Sequence, residues 1–278
     1  MLETGATHSR RWYGARLLLP LLALLAPTLC WAQQSLEYQA LEQQGMAGPA
    51  PAWSVTLGAG LASAPRYPGA NDQRVRAVPL VSIVYDRRFF AGPLGIGVAA
   101  VRWNGFSAGP VLGFERGRYE SDDPRVAGLG DISASATAGA FAAYARGPVE
   151  ISATARQAIS HTGNGLSGLV QVNFRHAFPL ARTYVTAGPD LEFGNADFER
   201  TWFGITPAQS ALSDLPVYAP RGGINTIGLH AGLTYRASRH ILWRVFAAVR
   251  DLAGDAAQSP IVERRTQFLL GAGVAYHF

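Results

Sequence analysis

The sequence predicts an all-β protein, a closed antiparallel transmembrane β-barrel of about 12 strands. From Trp53 onward, apolar residues alternate with small or polar ones, as in WSVTLGAGLA (53–62), which is the period of a strand with two unlike faces. Most alternating segments run for about 10 to 13 residues, longer than the ~5–6 typical of globular sheets and matched to tilted spanning strands. Aromatic residues fall near the segment ends, as in interfacial girdles. Because hydrocarbon does not tolerate an open sheet edge, the sheet must close.

The first 32 residues have the pattern of a cleaved secretory signal. A positive n-region precedes a short apolar core at 17–30, and small residues flank a cleavage site after Ala32. The apolar run is shorter than the ~20 residues that a spanning helix needs. Residues 33–52 are polar and end in Gly, Pro and Ala, so we expect a flexible periplasmic lead-in there. Residues 53–278 are predicted to form the barrel.

Twelve segments carry the strand pattern. Residues 86–105 are interpreted as two strands, because only this division keeps tight turns on the periplasmic side and long loops on the other. Counts of 10 or 14 strands are also compatible with the pattern. The predicted strands are 53–62, 74–85, 88–93, 95–103, 105–117, 131–145, 148–160, 166–178, 182–193, 226–237, 240–250 and 266–278.

The long connections are expected on the outer side, at 63–73, 118–130, 161–165, 194–225 and 251–265. Two stretches within them, 202–218 and 254–263, contain apolar residues that a solvated loop would not need. One hypothesis is that both stretches fold into the lumen as a plug or contact a partner. The residues concerned are Trp202, Phe203, Ile205, Pro207, Asp255, Pro260, Ile261 and Val262.

The inward strand faces carry charges of both signs. Two interpretations are open: the charges pair across a narrow lumen, or they line a narrow aqueous path. The balance of signs favours the paired network. The residues are Glu115, Glu150, Arg156, Arg175, Asp190, Glu192, Arg236 and Arg244, together with His230 and Arg250.

No motif has a spacing specific for chemistry, so the sequence predicts a protein that is not an enzyme and has no cofactor or metal site. The best local cluster is Ser160, His161 and Asn164, but it lies at a predicted loop where turn chemistry accounts for such residues. All 24 basic side chains are arginine and the net charge is +5. These arginines are spread along the sequence, which does not favour nucleic-acid binding.

The chain ends in FLLGAGVAYHF (268–278), an alternating segment that must pair with the first strand if the barrel is to close. Phe278, with Tyr276 two residues before it, resembles the C-terminal signal that the barrel-assembly machinery reads. The other expected contacts are outer-membrane lipid and lipopolysaccharide.

Several segments resemble the MipA/OmpV family of outer-membrane proteins. They are WFGITPAQSALSDLPVY (202–218), GDAAQSPIVE (254–263) and the terminal GAGVAYHF, with RYPGAND (66–72) and GLGDI (128–132). The resemblance implies a non-enzymatic barrel in the bacterial outer membrane. The founding member of this family is known as a scaffold that bridges a lytic transglycosylase and a bifunctional penicillin-binding protein, both of which remodel murein. Other members are described as porin-like proteins or adhesins. The resemblance therefore implies a scaffold, with a narrow pore or small-solute channel and a surface adhesin as alternatives.

Overall fold

The computed structural model describes residues 52–278, whose strands form a closed antiparallel barrel. The predicted signal, and the lead-in up to residue 51, lie outside the described residues. The last strand pairs with the first, from Thr56 opposite His277 to Ser63 opposite Leu270. The strands are β1 (Trp53–Pro65), β2 (Gln73–Tyr85), β3 (Phe89–Gly92), β4 (Gly95–Val98), β5 (Val101–Trp103), β6 (Phe106–Glu115), β7 (Ser135–Arg146), β8 (Val149–Ala158), β9 (Leu166–Phe178), β10 (Thr183–Gly194), β11 (Gly223–Arg236), β12 (Ile241–Leu252) and β13 (Thr266–His277).

β4 and β5 are two parts of one wall strand. Both pair with β6, and Pro110 of β6, which has no N–H to donate, lies beside their interruption. Counted in this way the barrel has 12 strands, and the division of residues 86–105 into two wall strands is confirmed. The prediction that 95–103 is continuous is wrong, because the ladder breaks at residues 99 and 100.

The connection between β6 and β7 is longer than predicted. Residues 131–134 are not part of the strand, and β6 ends at Glu115. Instead Arg118 and Ile132 form an isolated bridge, and two 3-10 turns, Glu120–Asp122 and Pro124–Val126, lie between them. Pro124 at the start of the second turn and the Asp123 side chain, which accepts from the Arg125 N–H at 3.0 Å, set this local fold. The other strand boundaries differ from the prediction by at most three residues.

The two ends of the barrel differ in the length of their connections. At one end, which we call the turn end, short turns at 86–88, 104–105, 147–148, 179–182 and 237–240 lie beside the start of β1 and the end of β13. At the other, the loop end, the connections are 66–72, 93–94, 116–134, 159–165, 195–222 and 253–265. In outer-membrane barrels the short turns face the periplasm and the long loops face outward.

Side chains alternate between the lumen and the outside along the wall. On β12, every second residue from Leu242 to Leu252 is buried and the residues between them are exposed. Exposed aromatic residues concentrate at the turn end, where they form the girdle that marks a membrane interface. They are Trp53, Tyr85, Phe89, Trp103, Tyr144, Phe174, Phe178, Tyr235, Trp243, Tyr276 and Phe278.

Two short helices belong to the connection between β10 and β11. Helix α1 (Ala196–Phe203) begins at Asn195, whose side chain accepts from the Phe198 N–H at 2.9 Å. Helix α2 (Pro207–Ser213) begins with a capping box formed by Thr206 and Gln209. No helix within residues 52–278 has the length and hydropathy needed to cross a bilayer.

Candidate functional site

The charges predicted for the lumen lie on the inner side of the wall, and the most buried of them form a contiguous network between β10, β11 and β12. Arg250 Nε lies 3.2 Å from Asp190 Oδ2, and Arg250 Nη1 donates to Glu192 Oε1 at 2.8 Å. His230 lies between Asp190 and Asn173, with its two ring nitrogens 3.1 and 2.8 Å from their oxygens. Asp190 and Arg250 are almost completely buried, so this network occupies part of the lumen in the half nearer the loop end.

A second group of charges surrounds a small cavity near the loop end. Glu115, Arg156 and Glu192 line this cavity of about 40 Å³ together with Phe198 and Trp202 of helix α1. A space of this size has room for only about three water molecules. Helix α1 therefore covers the lumen from the loop end, and its aromatic side chains reach the wall residues.

A small apolar cluster separates this cavity from the turn end. The rings of Phe90 and Phe141 pack edge to face with centroids 5.2 Å apart, and Leu94, Ala99 and Val111 complete the cluster. Leu94 borders the small cavity, whereas Phe90 and Phe141 border a larger space on the other side. We call this cluster the septum, because it lies between the two cavities.

The larger space, which we call the vestibule, opens at the turn end and has a volume of about 570 Å³. This volume is within the range of about 300–1,000 Å³ that is usual for ligand pockets. Four arginines line it: Arg87 and Arg88 from the first turn, Arg102 from β5 and Arg175 from β9. Glu150 is the acidic residue of the lining, and it forms an ion pair with Arg175. The remaining predicted lumen charges, Arg236 and Arg244, lie on the strands that flank the last turn.

The loop end is closed by connections that pack on one another. Tyr67, Val126, Leu129, Ile205, Leu215 and Ile261 form one buried apolar cluster, and Ile132, Phe198, Trp202, Phe203, Leu252 and Ala256 form a second. We call the assembly of 66–72, 116–134, 195–222 and 253–265 the cap. Hydrogen bonds tie its parts together: the Tyr67 hydroxyl donates to the Ile261 carbonyl at 3.2 Å, and Ser259 Oγ donates to the Phe203 carbonyl at 2.6 Å.

The residues predicted for a plug or partner loop divide into two groups in the cap. Trp202, Phe203, Ile205 and Ile261 are buried, each with 6 % or less of its surface exposed. Val262 is half-buried against the second apolar cluster. Of the other three, Pro207 is exposed, and Asp255 and Pro260 are half-buried. Pro207 is the exposed first residue of α2, Asp255 accepts from the Arg221 N–H at 2.9 Å, and the Pro260 carbonyl accepts from Arg125.

Buried ionisable groups also make hydrogen bonds within the cap and to the wall. Burial raises the pKa of Glu199 in α1 to about 7, against a hydrogen bond from Asn225 Nδ2 at 2.8 Å that lowers it, and the charge of Asp255 raises it further. Burial lowers the pKa of Arg118 to about 10, and its Nη1 donates to the Trp202 carbonyl at 3.2 Å. Asp122 accepts from Arg74 Nη1 at 2.7 Å, which attaches the connection between β6 and β7 to β2.

The excess positive charge of the described residues lies at the turn end of the barrel. A charged side chain belongs to an end of the barrel if it lies in a connection at that end or within four strand residues of one. The loop end holds 12 arginines and 13 acidic residues, so its charges balance. The turn end holds nine arginines and two acidic residues: Arg87, Arg88, Arg102, Arg146, Arg175, Arg182, Arg236, Arg239 and Arg244, with Asp86 and Glu150. Sequence reasoning missed this segregation, although three of the five tight turns contain an arginine, which was a visible signal.

The cluster considered for catalysis has structural contacts. Ser160 Oγ accepts from the Ala136 N–H at 2.9 Å and lies 3.2 Å from Ser135 Oγ, while His161 Nδ1 is 3.4 Å away. Asn164 Nδ2 donates to the Ser133 carbonyl at 2.9 Å. These bonds connect neighbouring loop ends. Within residues 52–278, no group of three His, Cys, Asp or Glu side chains is arranged to hold a metal ion.

The two residues predicted as an assembly signal lie at the seam of the barrel. The Phe278 N–H donates to the Val55 carbonyl at 2.9 Å, so the last residue extends the pairing of β13 with β1. The Tyr276 ring stacks on His240 and packs against the Phe278 ring, with centroids 5.2 and 4.8 Å apart. Both aromatic side chains are exposed on the outer face of the turn end.

Comparisons with known proteins agree with the cellular location. The chain is 23% identical to the putative outer membrane protein YiaT of Escherichia coli K12, over 82% of this chain and 93% of that protein. It is 26% identical to the outer membrane protein OmpV of Vibrio cholerae over 58% of this chain, and this match spans only 61% of the length of OmpV.

Similar solved structures include the CymD monoaromatic hydrocarbon channel, with 10% identity and a TM-score of 0.42 over 90% of this chain and 93% of that chain. Another is OmpT of Vibrio cholerae, with 8% identity and a TM-score of 0.36 over 84% and 100%. Similarity at this level does not assign a function. The model of one protein family, described as MltA-interacting protein MipA, matches residues 57–278. The chain therefore belongs to the MipA family and is an outer-membrane β-barrel.

Proposed function

We propose that this barrel is a structural protein that docks murein-remodelling enzymes, a lytic transglycosylase and a penicillin-binding protein, at the periplasmic face of the outer membrane. The observation that carries the proposal is the contrast between the ends of the barrel. The cap closes the loop end around buried apolar side chains, and the turn end carries nine arginines against two acidic residues and has an open vestibule. A periplasmic enzyme can reach only the turn end.

The interior supports a scaffold better than a passive pore. A solute would have to cross the septum, the ion-pair network of Asp190 and Arg250, and helix α1. Each barrier is made of packed side chains, and a channel needs a continuous polar path that ions can enter and leave. The description of the family as proteins that interact with MltA also supports docking over transport.

Site-specific crosslinking in the cell envelope tests the proposal with a matched pair of positions. Leu180 in the turn 179–182 and Leu212 in helix α2 are both strongly exposed, and they lie at opposite ends. A photo-reactive amino acid at position 180 is expected to capture a lytic transglycosylase or a penicillin-binding protein, and the same group at position 212 is not. Capture at neither position, or steady single-channel currents from the intact protein in a planar bilayer, would contradict the scaffold.

A further inference from the structure

The strand β5 has a free edge at the turn end. Val101, Arg102 and Trp103 pair with β6 on one side, and within the described part of the chain no strand lies on the other side. Asn104 and Gly105, both with positive φ (46° and 83°), form the two-residue turn between β5 and β6. In such a hairpin the residues flanking the turn exchange hydrogen bonds, so the Arg102 backbone groups point away from β6. Extended chains bind to free edges of this kind by adding a strand.

The surroundings of this edge are basic. Arg87, Arg88 and Arg102 border the vestibule beside β5. The only carboxylate within 4 Å of any of the three in residues 52–278 is that of Asp86, 3.9 Å from Arg88 with both side chains exposed. An exposed pair at that distance compensates little charge. Arg175, on the far wall, is already paired with Glu150. The free edge therefore lies next to arginines that can form charge-assisted bonds with an incoming anion.

The two faces of β5 differ, which determines the side chains that an added strand needs. Arg102 borders the vestibule beside Arg87 and Arg88, whereas Val101 and Trp103 lie on the opposite face of the strand and are exposed, with Trp103 also at the rim of the vestibule. Successive side chains of a strand point to opposite faces. An added strand would therefore place every second side chain beside the arginines and the others beside Val101 and Trp103. The matching sequence alternates acidic and apolar residues.

We propose that β5 accepts an extended segment of a periplasmic protein by strand addition, and that alternate carboxylates of this segment bind Arg87, Arg88 and Arg102. The inference rests on the proposed function, which places the partner in the periplasm. It adds the surface of the barrel that the partner contacts and the sequence pattern that the partner needs. A folded acidic surface would not use the free edge, and a small anion would use neither the edge nor the apolar face.

Peptide binding to the assembled barrel in nanodiscs of zwitterionic lipid tests the proposal by fluorescence anisotropy. The probe is a fluorescein-labelled peptide of four Glu-Val repeats. One control peptide has four glutamates followed by four valines. The other has proline in place of each valine, and proline has no backbone N–H to donate to the strand edge. The alternating peptide is expected to bind about tenfold or more tightly than either control. Equal binding of the three peptides would reject strand addition.

Charge-reversed variants give a second measurement. Arg87→Glu combined with Arg102→Glu is expected to weaken binding of the alternating peptide about tenfold or more. The pair Arg264→Glu and Arg265→Glu makes the same charge change at the loop end and is expected to leave binding unchanged. Equal effects of the two pairs would reject the site. Loss of binding when phosphatidylglycerol is added to the nanodisc would assign the arginines to lipid headgroups and also reject it.

Peptide binding and crosslinking can succeed or fail independently, so the two proposals are tested separately. If murein enzymes crosslink at position 180 but the peptide does not bind, docking stands and strand addition is rejected. If the peptide binds and those enzymes are not captured, the edge serves a different periplasmic partner.

Discussion

At the loop end, four connections from distant parts of the sequence pack around shared apolar side chains, whereas the five connections at the turn end are two to four residues long and are set by local turn chemistry. Tyr67 and Ile261, 194 residues apart, are hydrogen-bonded in the cap. The charges follow the same division: they are balanced at the loop end and strongly basic at the turn end. Long-range packing therefore closes one end, and short turns leave the other end free to present charge.

The largest expected effect is at the turn end, where the last residue joins the seam between β13 and β1. Deleting Phe278 removes the backbone bond to Val55 and the ring that packs on Tyr276, and it removes the predicted assembly signal. We expect most of the protein to lack the heat-modifiable mobility of an assembled barrel on semi-native gels. Phe178→Ala removes another exposed aromatic side chain of the same end and should assemble normally. Normal assembly after deletion of Phe278 would show that the seam tolerates loss of its last residue.

The cap should be the more sensitive end to loss of apolar volume. Phe203 is 1 % exposed in the second apolar cluster of the cap, and Phe203→Ala is expected to destabilise the cap by about 3–5 kcal/mol. On intact cells, externally added protease should then cleave within 116–134 or 195–222, while the barrel keeps its heat-modifiable mobility. The matched change Leu180→Ala, at a fully exposed turn-end position, should alter neither property. An uncut cap in the Phe203 variant would mean that its loops do not depend on this core.

The wall of the barrel was accessible from sequence, and the two contrasting ends were not. Alternation and turn spacing predicted the wall and its 12 strands, because both are local properties. The cap was not accessible in detail, because contacts such as Tyr67 with Ile261 depend on which loops the closed barrel brings together. The basic turn end was missed for a related reason. Arg87, Arg146 and Arg239 are far apart in the sequence and come to lie at the same end only when the strands place their turns there.

Removing one ion pair at each end should give a smaller difference in stability between the two ends. Asp122 is buried and accepts from Arg74 at 2.7 Å, whereas Asp86 is exposed and 3.9 Å from Arg88. Asp122→Asn is expected to destabilise the segment 119–126 by about 1–2 kcal/mol, because Arg74 is itself partly exposed. Asp86→Asn should change stability by less than about 0.5 kcal/mol. Hydrogen exchange of 119–126 and 86–88 measures both, and equal effects would remove the distinction between the ends.

The smallest expected effect is a pH dependence confined to the cap. Burial raises the pKa of Glu199 from its ordinary value of 4.5 to about 7, so the folded cap binds a proton there that the unfolded segment has lost. The stabilisation is complete below about pH 4.5, falls as the pH rises through about 7 and is lost above it. Hydrogen exchange of 196–222, corrected for the intrinsic rate, should therefore be faster at pH 8 than at pH 6.

Glu199→Gln should remove this dependence, because the glutamine oxygen still accepts from Asn225 and carries no charge to desolvate. Asp197→Asn, on the exposed side of the same helix where Asp197 pairs with Arg200, should retain it. Backbone amides in the short connections of the turn end should exchange their hydrogens at the same corrected rate at both pH values. A pH dependence of equal size at both ends would indicate a property of the whole barrel, and the cap could then no longer be treated as a separately stabilised unit.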